Sequence, residues 1–211
     1  MTSDIRFWNK IAPKYAKSAI RDKEAYRYTL ERTRSYLGSH DRVLEMGCGT
    51  GSTAITLAEA VADITATDFS EGMLGIGRQR AEQASVHNVF FQCCSSETVP
   101  KGPFDVVMAF NLLHLVPDMD ATFAAVAERL PHGKLFISKT PCLGEARGSF
   151  KYWMFSVIIP LMRLVGMAPN CVNFLSVAEL EAAVERAGFE IIETGNYPAS
   201  TPGRYLVARR D

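Results

Sequence analysis

Two acids and three glycines are the residues of this chain whose types and spacing most directly suggest chemistry. The glycines alternate in Val43-Leu44-Glu45-Met46-Gly47-Cys48-Gly49-Thr50-Gly51, Glu45 stands just before them, and Asp68 follows. Glycine permits a tight turn with positive φ and lets a ligand come close to the backbone. A helix beginning directly afterwards presents unpaired N–H groups to that ligand. Strand, glycine turn and helix in this order form a nucleotide-binding corner. A dinucleotide fingerprint spaces its glycines G-x-G-x-x-G. Here the spacing is G-x-G-x-G, and Ser52 occupies the place of the third glycine. A carboxylate at Glu45 would repel a pyrophosphate at the turn and suits a ligand with cationic groups. Asp68 closes the next strand, where an acid can accept hydrogen bonds from both hydroxyls of a ribose.

These residues need a scaffold, and the surrounding pattern supplies one. Arg42 to Met46 reads as a buried strand and Ser52 to Ala60 as a helix. Ala62 to Thr67 reads as a second strand, with Ser70 as N-cap of the helix after it. Asn88 to Cys93, Phe104 to Phe110 and Lys134 to Lys139 read as further strands. Asp118 caps a helix over 119–130, and Asp105 supports a turn. Ser176 with Glu179 three residues on is a capping box for a helix ending before Gly188. Phe189 to Thr194 and Tyr205 to Ala208 read as closing strands. Strands alternating with helices predict a doubly wound α/β sheet.

The run Val43 to Gly51, with Asp68, resembles the first two motifs of class I S-adenosylmethionine-dependent methyltransferases. Phe104-Asp105-Val106-Val107-Met108-Ala109-Phe110-Asn111-Leu112-Leu113-His114 is similar to the family's fourth-strand motif. Leu130-Pro131-His132-Gly133-Lys134-Leu135 is similar to its entry into the fifth strand, with Lys134 replacing a second glycine. Phe7-Trp8-Asn9-Lys10-Ile11-Ala12-Pro13-Lys14-Tyr15-Ala16 resembles the N-terminal segment of the ubiquinone-biosynthesis-type enzymes, which folds over the cofactor. The resemblance implies a Rossmann-like sheet of seven strands in the order 3-2-1-4-5-7-6, the last strand antiparallel, with helices on both faces. It implies S-adenosyl-L-methionine as cofactor. It assigns cofactor contacts to Glu45, Gly47, Cys48, Gly49, Thr50, Gly51, Asp68, Phe69, Met73, Cys94, Ser95 and Asn111, and catalytic positions to Tyr15 and His114. The family ends its third strand with an aspartate toward the adenine; Cys94-Ser95-Ser96 stands there instead.

The whole chain sets further expectations. Its 211 residues fit one domain over 1–211, with a lid over 1–37 and a substrate-covering insertion over 140–175. Phe7, Trp8 and Tyr15 on one side, and Tyr152, Trp153 and Phe155 on the other, are expected to enclose a hydrophobic small molecule. Gly148 before the apolar run Tyr152 to Met162 and Pro160 within it are expected to limit any continuous helix in the insertion. Lys plus Arg equals Asp plus Glu, 23 against 23, which argues against a nucleic-acid partner. The exposed tip of the last strand accounts for Arg204, Arg209 and Arg210. The five cysteines form no Cys-x-x-Cys, so no metal site is expected and the thiols read as reduced. No secretory pattern or span of about 20 apolar residues is present, and a cytoplasmic enzyme is expected. Two alternatives stand beside methyl transfer to a hydrophobic acceptor: methylation of a lipid or quinone precursor at the membrane surface, and a cofactor-binding module without turnover.

Overall fold

The structure is a computed structural model describing residues 2–20, 22–164, 166–199 and 203–211. Helix α1 (Thr2–Ala16) and helix α2 (Lys23–Arg34) precede the sheet. Then come β1 (Arg42–Met46), α3 (Ser52–Leu57), β2 (Asp63–Asp68), α4 (Glu71–Gln83), β3 (Val89–Cys93) and β4 (Val106–Phe110). They are followed by α5 (Met119–Arg129), β5 (Leu135–Pro141), α6 (Phe150–Leu164), α7 (Val177–Arg186), β6 (Phe189–Asn196) and β7 (Gly203–Arg210). Short 3₁₀ turns follow α3, β4 and β5.

The seven strands form one sheet in the order β3-β2-β1-β4-β5-β7-β6. All neighbours are parallel except β7, which runs antiparallel to both β5 and β6. This is the expected doubly wound α/β arrangement. Because successive strand residues point to opposite faces, β1 feeds two cores. Leu44 joins Val107, Phe136 and Leu206 under α5 and α7, where Phe123, Val126 and Leu180 meet them. Val43 joins Ile64, Met108 and Ile137 on the other face, against Ala54 and Leu57 of α3 and Leu74 of α4.

The helix starts follow their caps. Asp22, Ser70, Asp118 and Ser176 each accept from the backbone amide three residues on, and Glu179 completes the capping box by accepting from Ser176 N at 2.7 Å. Asp105 accepts from Arg42 N at 2.9 Å and pairs with Lys134, tying the starts of β1, β4 and β5 together.

Two expectations are corrected. α6 runs continuously through Pro160. The proline removes one helix donor, and in this largely exposed helix water can take the freed carbonyl. Arg204 is no exposed tip: it is mostly buried in an ion pair with Glu181 of α7. All five thiols are free, with Cys48 and Cys142 buried. Among the described residues, no helix is long and apolar enough to cross a membrane.

Candidate functional site

Ligands of open α/β sheets bind outside the carboxyl ends of the strands. A cavity of about 980 Å³ lies there, bordered by the loops after β1, β2, β3 and β4 and by α1. Single-ligand pockets run to ~300–1,000 Å³, so the volume accommodates a cofactor together with a small acceptor.

The loop after β1 takes its shape from three left-handed glycines, Gly47 (φ 65°), Gly49 (φ 54°) and Gly51 (φ 73°). They serve different purposes. A Cβ on Gly47 would lie 2.6 Å from Leu112, and one on Gly51 would lie 2.7 Å from Phe91. Those two glycines permit close packing within the protein. A Cβ on Gly49 would meet only the Tyr15 ring, at 3.8 Å, so this residue presents bare backbone to open space. Cys48 N donates to Thr67 O at 2.8 Å, anchoring the loop on β2.

Glu45 is 2% exposed at the end of β1. The Ala54 amide donates to it, yet its Oε2 has no partner. Burial, only partly offset by that amide, pushes its pKa up to about 8, with Asp68 adding to the rise. A buried carboxyl with a spare oxygen on a cavity wall is completed by a ligand that donates to it.

Asp68 does structural work first. Its Oδ2 accepts from Gly49 N at 3.0 Å and its Oδ1 from Ser70 N at 2.8 Å, so it joins the glycine loop to the start of α4. Burial raises its pKa, and these backbone donors oppose the rise. The lone pairs of its two oxygens that these amides leave free remain for a further donor.

The cavity brings together Tyr15, Glu45, Gly47, Cys48, Gly49, Thr50, Asp68, Phe69, Met73, Cys94, Ser95 and Asn111. Gly51 and His114 are not among its lining residues. Gly51 lies against Phe91 instead. His114 sits in the 3₁₀ turn after β4 with its Nδ1 buried and unpartnered, and burial lowers its pKa to about 4. Ser95 Oγ, where the family carries an acid, lies 2.9 Å from Thr98 Oγ1.

Helix α1 covers the cavity through Asp4, Ile5, Trp8 and Tyr15. Trp8 meets Tyr15 edge to face at 6.2 Å. Tyr15 retains 48% of its surface because its ring borders the open cavity rather than packed protein. Desolvation and the nearby Asp68 and Glu45 hold its phenol protonated. Helix α6 behaves otherwise. None of its described side chains lines the cavity; Tyr152 packs on Phe174 at 5.4 Å and Trp153 is 61% exposed. The expected enclosure by Tyr152 and Trp153 is therefore not found, and the Phe155 side chain lies outside the described residues. From this part of the chain, Pro141, Pro169 and Cys171 reach the cavity.

Three residues escaped the sequence reading. Asn9 Oδ1 accepts from Ser70 Oγ (2.7 Å) and Gly72 N (2.8 Å), fixing α1 on the start of α4. Arg80 of α4 donates to Thr50 Oγ1, Ser52 Oγ and Ala16 O, joining the glycine loop to the end of α1. Lys139 lines the cavity at the end of β5. Only Lys139 left a sequence signal: a charge toward the carboxyl end of a strand that carries no other charged residue.

The family described as "Methyltransferase domain" matches residues 18–194. The chain belongs to the class I S-adenosylmethionine-dependent methyltransferase family. It is 30% identical over 158 residues to a ubiquinone biosynthesis O-methyltransferase of Aromatoleum aromaticum, covering 72% of this chain and 65% of that relative. The chain thus spans just under two thirds of the relative's length. Among solved structures, the DhpI–SAH complex superposes with a TM-score of 0.75 at 22% identity, over 99% of this chain and 96% of that one. Geranyl diphosphate C-methyltransferase from Streptomyces coelicolor A3(2) superposes with a TM-score of 0.71 at 16% identity, over 90% and 78%. These two likenesses are of fold.

Proposed function

We propose that this chain transfers a methyl group from S-adenosylmethionine to a hydrophobic small molecule. The observation that carries the reading is Glu45, a buried carboxyl with an unpartnered oxygen beside the bare backbone of Gly49. Glu45 receives the cationic amino group of the cofactor's amino-acid end, and Gly47, Cys48, Gly49 and Thr50 pass beneath it. Gly51 contributes by letting the loop close against Phe91. The spare lone pairs of Asp68 accept from the ribose diol. Phe69 and Met73 flank the ribose and adenine, and Cys94 and Ser95 border the adenine in place of the usual acid. Asn111 stands at the rim between the cofactor and acceptor compartments.

When bound, the cofactor supplies a methyl group made electrophilic by a sulfonium. The residues of this chain orient the partners, and orientation is worth ~7–11 kcal/mol in favourable cases. Trp8 and Tyr15 exclude water from above, which favours reactions that neutralise charge. Tyr15 keeps its proton and acts as a donor that sets the acceptor's orientation. His114 lies outside the cavity lining and does not meet the acceptor.

Calorimetry with S-adenosylhomocysteine tests the site through Gly49→Val and Asp68→Asn. Gly49→Val forces a β-branched side chain into a left-handed position and into the open space, and should abolish binding. Asp68→Asn turns one acceptor oxygen into an N–H donor, giving up the bond to Gly49 N or Ser70 N as well as a ribose contact, and should weaken binding at least about tenfold, since a hydrogen bond to a charged group is worth ~1.5–3 kcal/mol. Wild-type affinity in both variants would refute the site.

A second reading has an observation of its own. Trp153, Val157 and Leu161 recur at helical spacing on α6 and are exposed, together with Ile158. A face of this kind suits a lipid interface, and the Aromatoleum aromaticum relative is named for ubiquinone biosynthesis. Under this reading the acceptor is a quinone precursor collected at the membrane surface. Co-sedimentation with anionic vesicles that disappears in Trp153→Glu/Leu161→Glu would favour it. Its absence in the wild type would leave the first reading alone.

A further inference from the structure

One stretch of the cavity wall, away from the glycine loop, is formed by Lys139 and Pro141 of β5, Gly203 of β7 and Asp22 before α2. Most charged groups on the cavity wall are acids; the bases are Arg80 and Lys139. Arg80 is committed to Thr50, Ser52 and Ala16. Lys139 takes part in none of the ion pairs found among the described residues. It closes the parallel part of the sheet, opposite Phe110 of β4 and Tyr205 of β7, and its carbonyl accepts from Asn111 N at 2.7 Å. Its stem is confined: a Cβ on Gly203 would lie 3.3 Å from Lys139 Cε. Phe110, Pro141 and Pro198 give this end of the cavity apolar walls. Burial lowers the pKa of the ammonium, and Asp22 partly opposes this. The Asp22 carboxylate already accepts from Ala25 N at 2.8 Å.

Register separates Lys139 from the cofactor end. Glu45 is opposite Met108, Met108 is opposite Ile137, and Lys139 lies two residues further on the same face. At ~4.8 Å per strand and ~3.3 Å per residue, the two Cα atoms are roughly 12 Å apart. Asp68 lies on β2, on the other side of β1 from β5, so a ligand reaching from Glu45 to Asp68 runs away from Lys139 and leaves it free for a second molecule.

We propose that Lys139 is the anion-recognition residue of the acceptor compartment, pairing with one negatively charged oxygen, a carboxylate or an ionised phenol, on an otherwise apolar acceptor. The inference rests on the methyltransferase reading and sharpens its substrate class. A single ammonium matches a monoanion, whereas a diphosphate draws several cations or a bidentate guanidinium. The apolar walls lower the local dielectric, so the pair is stronger there than in water.

The test uses the full chain saturated with S-adenosylhomocysteine and two matched probe pairs. One pair is 4-butoxybenzoate against 4-butoxybenzamide; the other is pentafluorophenol, ionised at neutral pH, against pentafluoroanisole. Calorimetry should show the charged member of at least one pair binding about tenfold more tightly, and which pair does so identifies the anion. Lys139→Met should erase that preference, Lys139→Arg should retain most of it, and neither should change the S-adenosylhomocysteine affinity. Equal binding of charged and neutral probes to the wild type would overturn the proposal. So would a preference that survives in Lys139→Met, or a loss of cofactor affinity in that variant with wild-type thermal stability. If Lys139→Met fails to fold, Lys139→Gln answers the same question. A wild-type chain that does not bind S-adenosylhomocysteine would instead refute the underlying methyltransferase reading.

Discussion

Helices α1 and α6 are each 15 residues long, each contains a proline, and each carries aromatic residues, yet only α1 covers the cavity. Among the described residues, α1 is distinguished by polar tethers to distant parts of the chain. α1 is fastened at three levels: Asp4 accepts from Asn170, Asn9 receives Ser70 and Gly72, and the carbonyl of Ala16 receives Arg80. α6 instead turns Trp153, Val157 and Leu161 outward. An apolar stripe shows that a helix has a face to cover, but not what covers it. The directional contacts settle that, and they depend on residues distant in sequence.

The contrast is broken most severely at Arg80. Arg80→Met removes three hydrogen bonds from a charged donor and frees the end of α1 from the glycine loop. At ~1.5–3 kcal/mol per such bond, discounted for partial exposure, S-adenosylhomocysteine affinity should fall about 10- to 100-fold. Isothermal titration measures this, and an unchanged affinity would mean that α1 is not coupled to the loop. Tyr15→Phe is gentler. It keeps the ring over Gly49 and removes only the hydroxyl, so turnover should drop severalfold with cofactor affinity nearly unchanged; a parallel loss of both would make Tyr15 a cofactor residue. The smallest effect is expected at Trp153→Ala. Exposed substitutions usually stay within about 0.5 kcal/mol, so chemical denaturation and cofactor affinity should both match the wild type. A large loss in either would show that α6 shares the role of α1.

The sheet was legible in the sequence because its signals are local. The apolar run of β1, the glycine turn, and the caps Ser70, Asp118 and Ser176 each act within a few residues, and strand order followed from the resemblance they support. Glu45 and Asp68 were legible for the same reason, as acids at strand ends. The second duty of Asp68, bonding Gly49 and Ser70 at once, was not, because it depends on the loop's folded path. Arg80 and Arg78 look alike on paper, but Arg80 meets the glycine loop while Arg78 pairs with Glu71 at the surface. Pro160 misled through a local rule: a single proline costs ~3 kcal/mol in a helix interior, and the remaining turns of α6 carry it.

The proposed cofactor site turns on Glu45 receiving a cation at the glycine loop. Its folded pKa of about 8 lies above its ordinary value of 4.5. The folded chain therefore holds a proton between those values that the unfolded chain releases. The associated stability is full below pH ~4.5 and is lost as pH rises through ~8. Glu45→Gln, which cannot ionise, should lack this loss and melt at a higher temperature than the wild type at pH 8.5, with a smaller difference at pH 5. Binding turns the same group the other way, since a cation needs the carboxylate. Titration of S-adenosylmethionine at pH 6.5 in two buffers of different ionisation enthalpy measures both affinity and proton exchange. Proton release from the wild type, with at least tenfold weaker binding and no such release in Glu45→Gln, is the predicted result; equal affinity and equal proton exchange in the two proteins would contradict it.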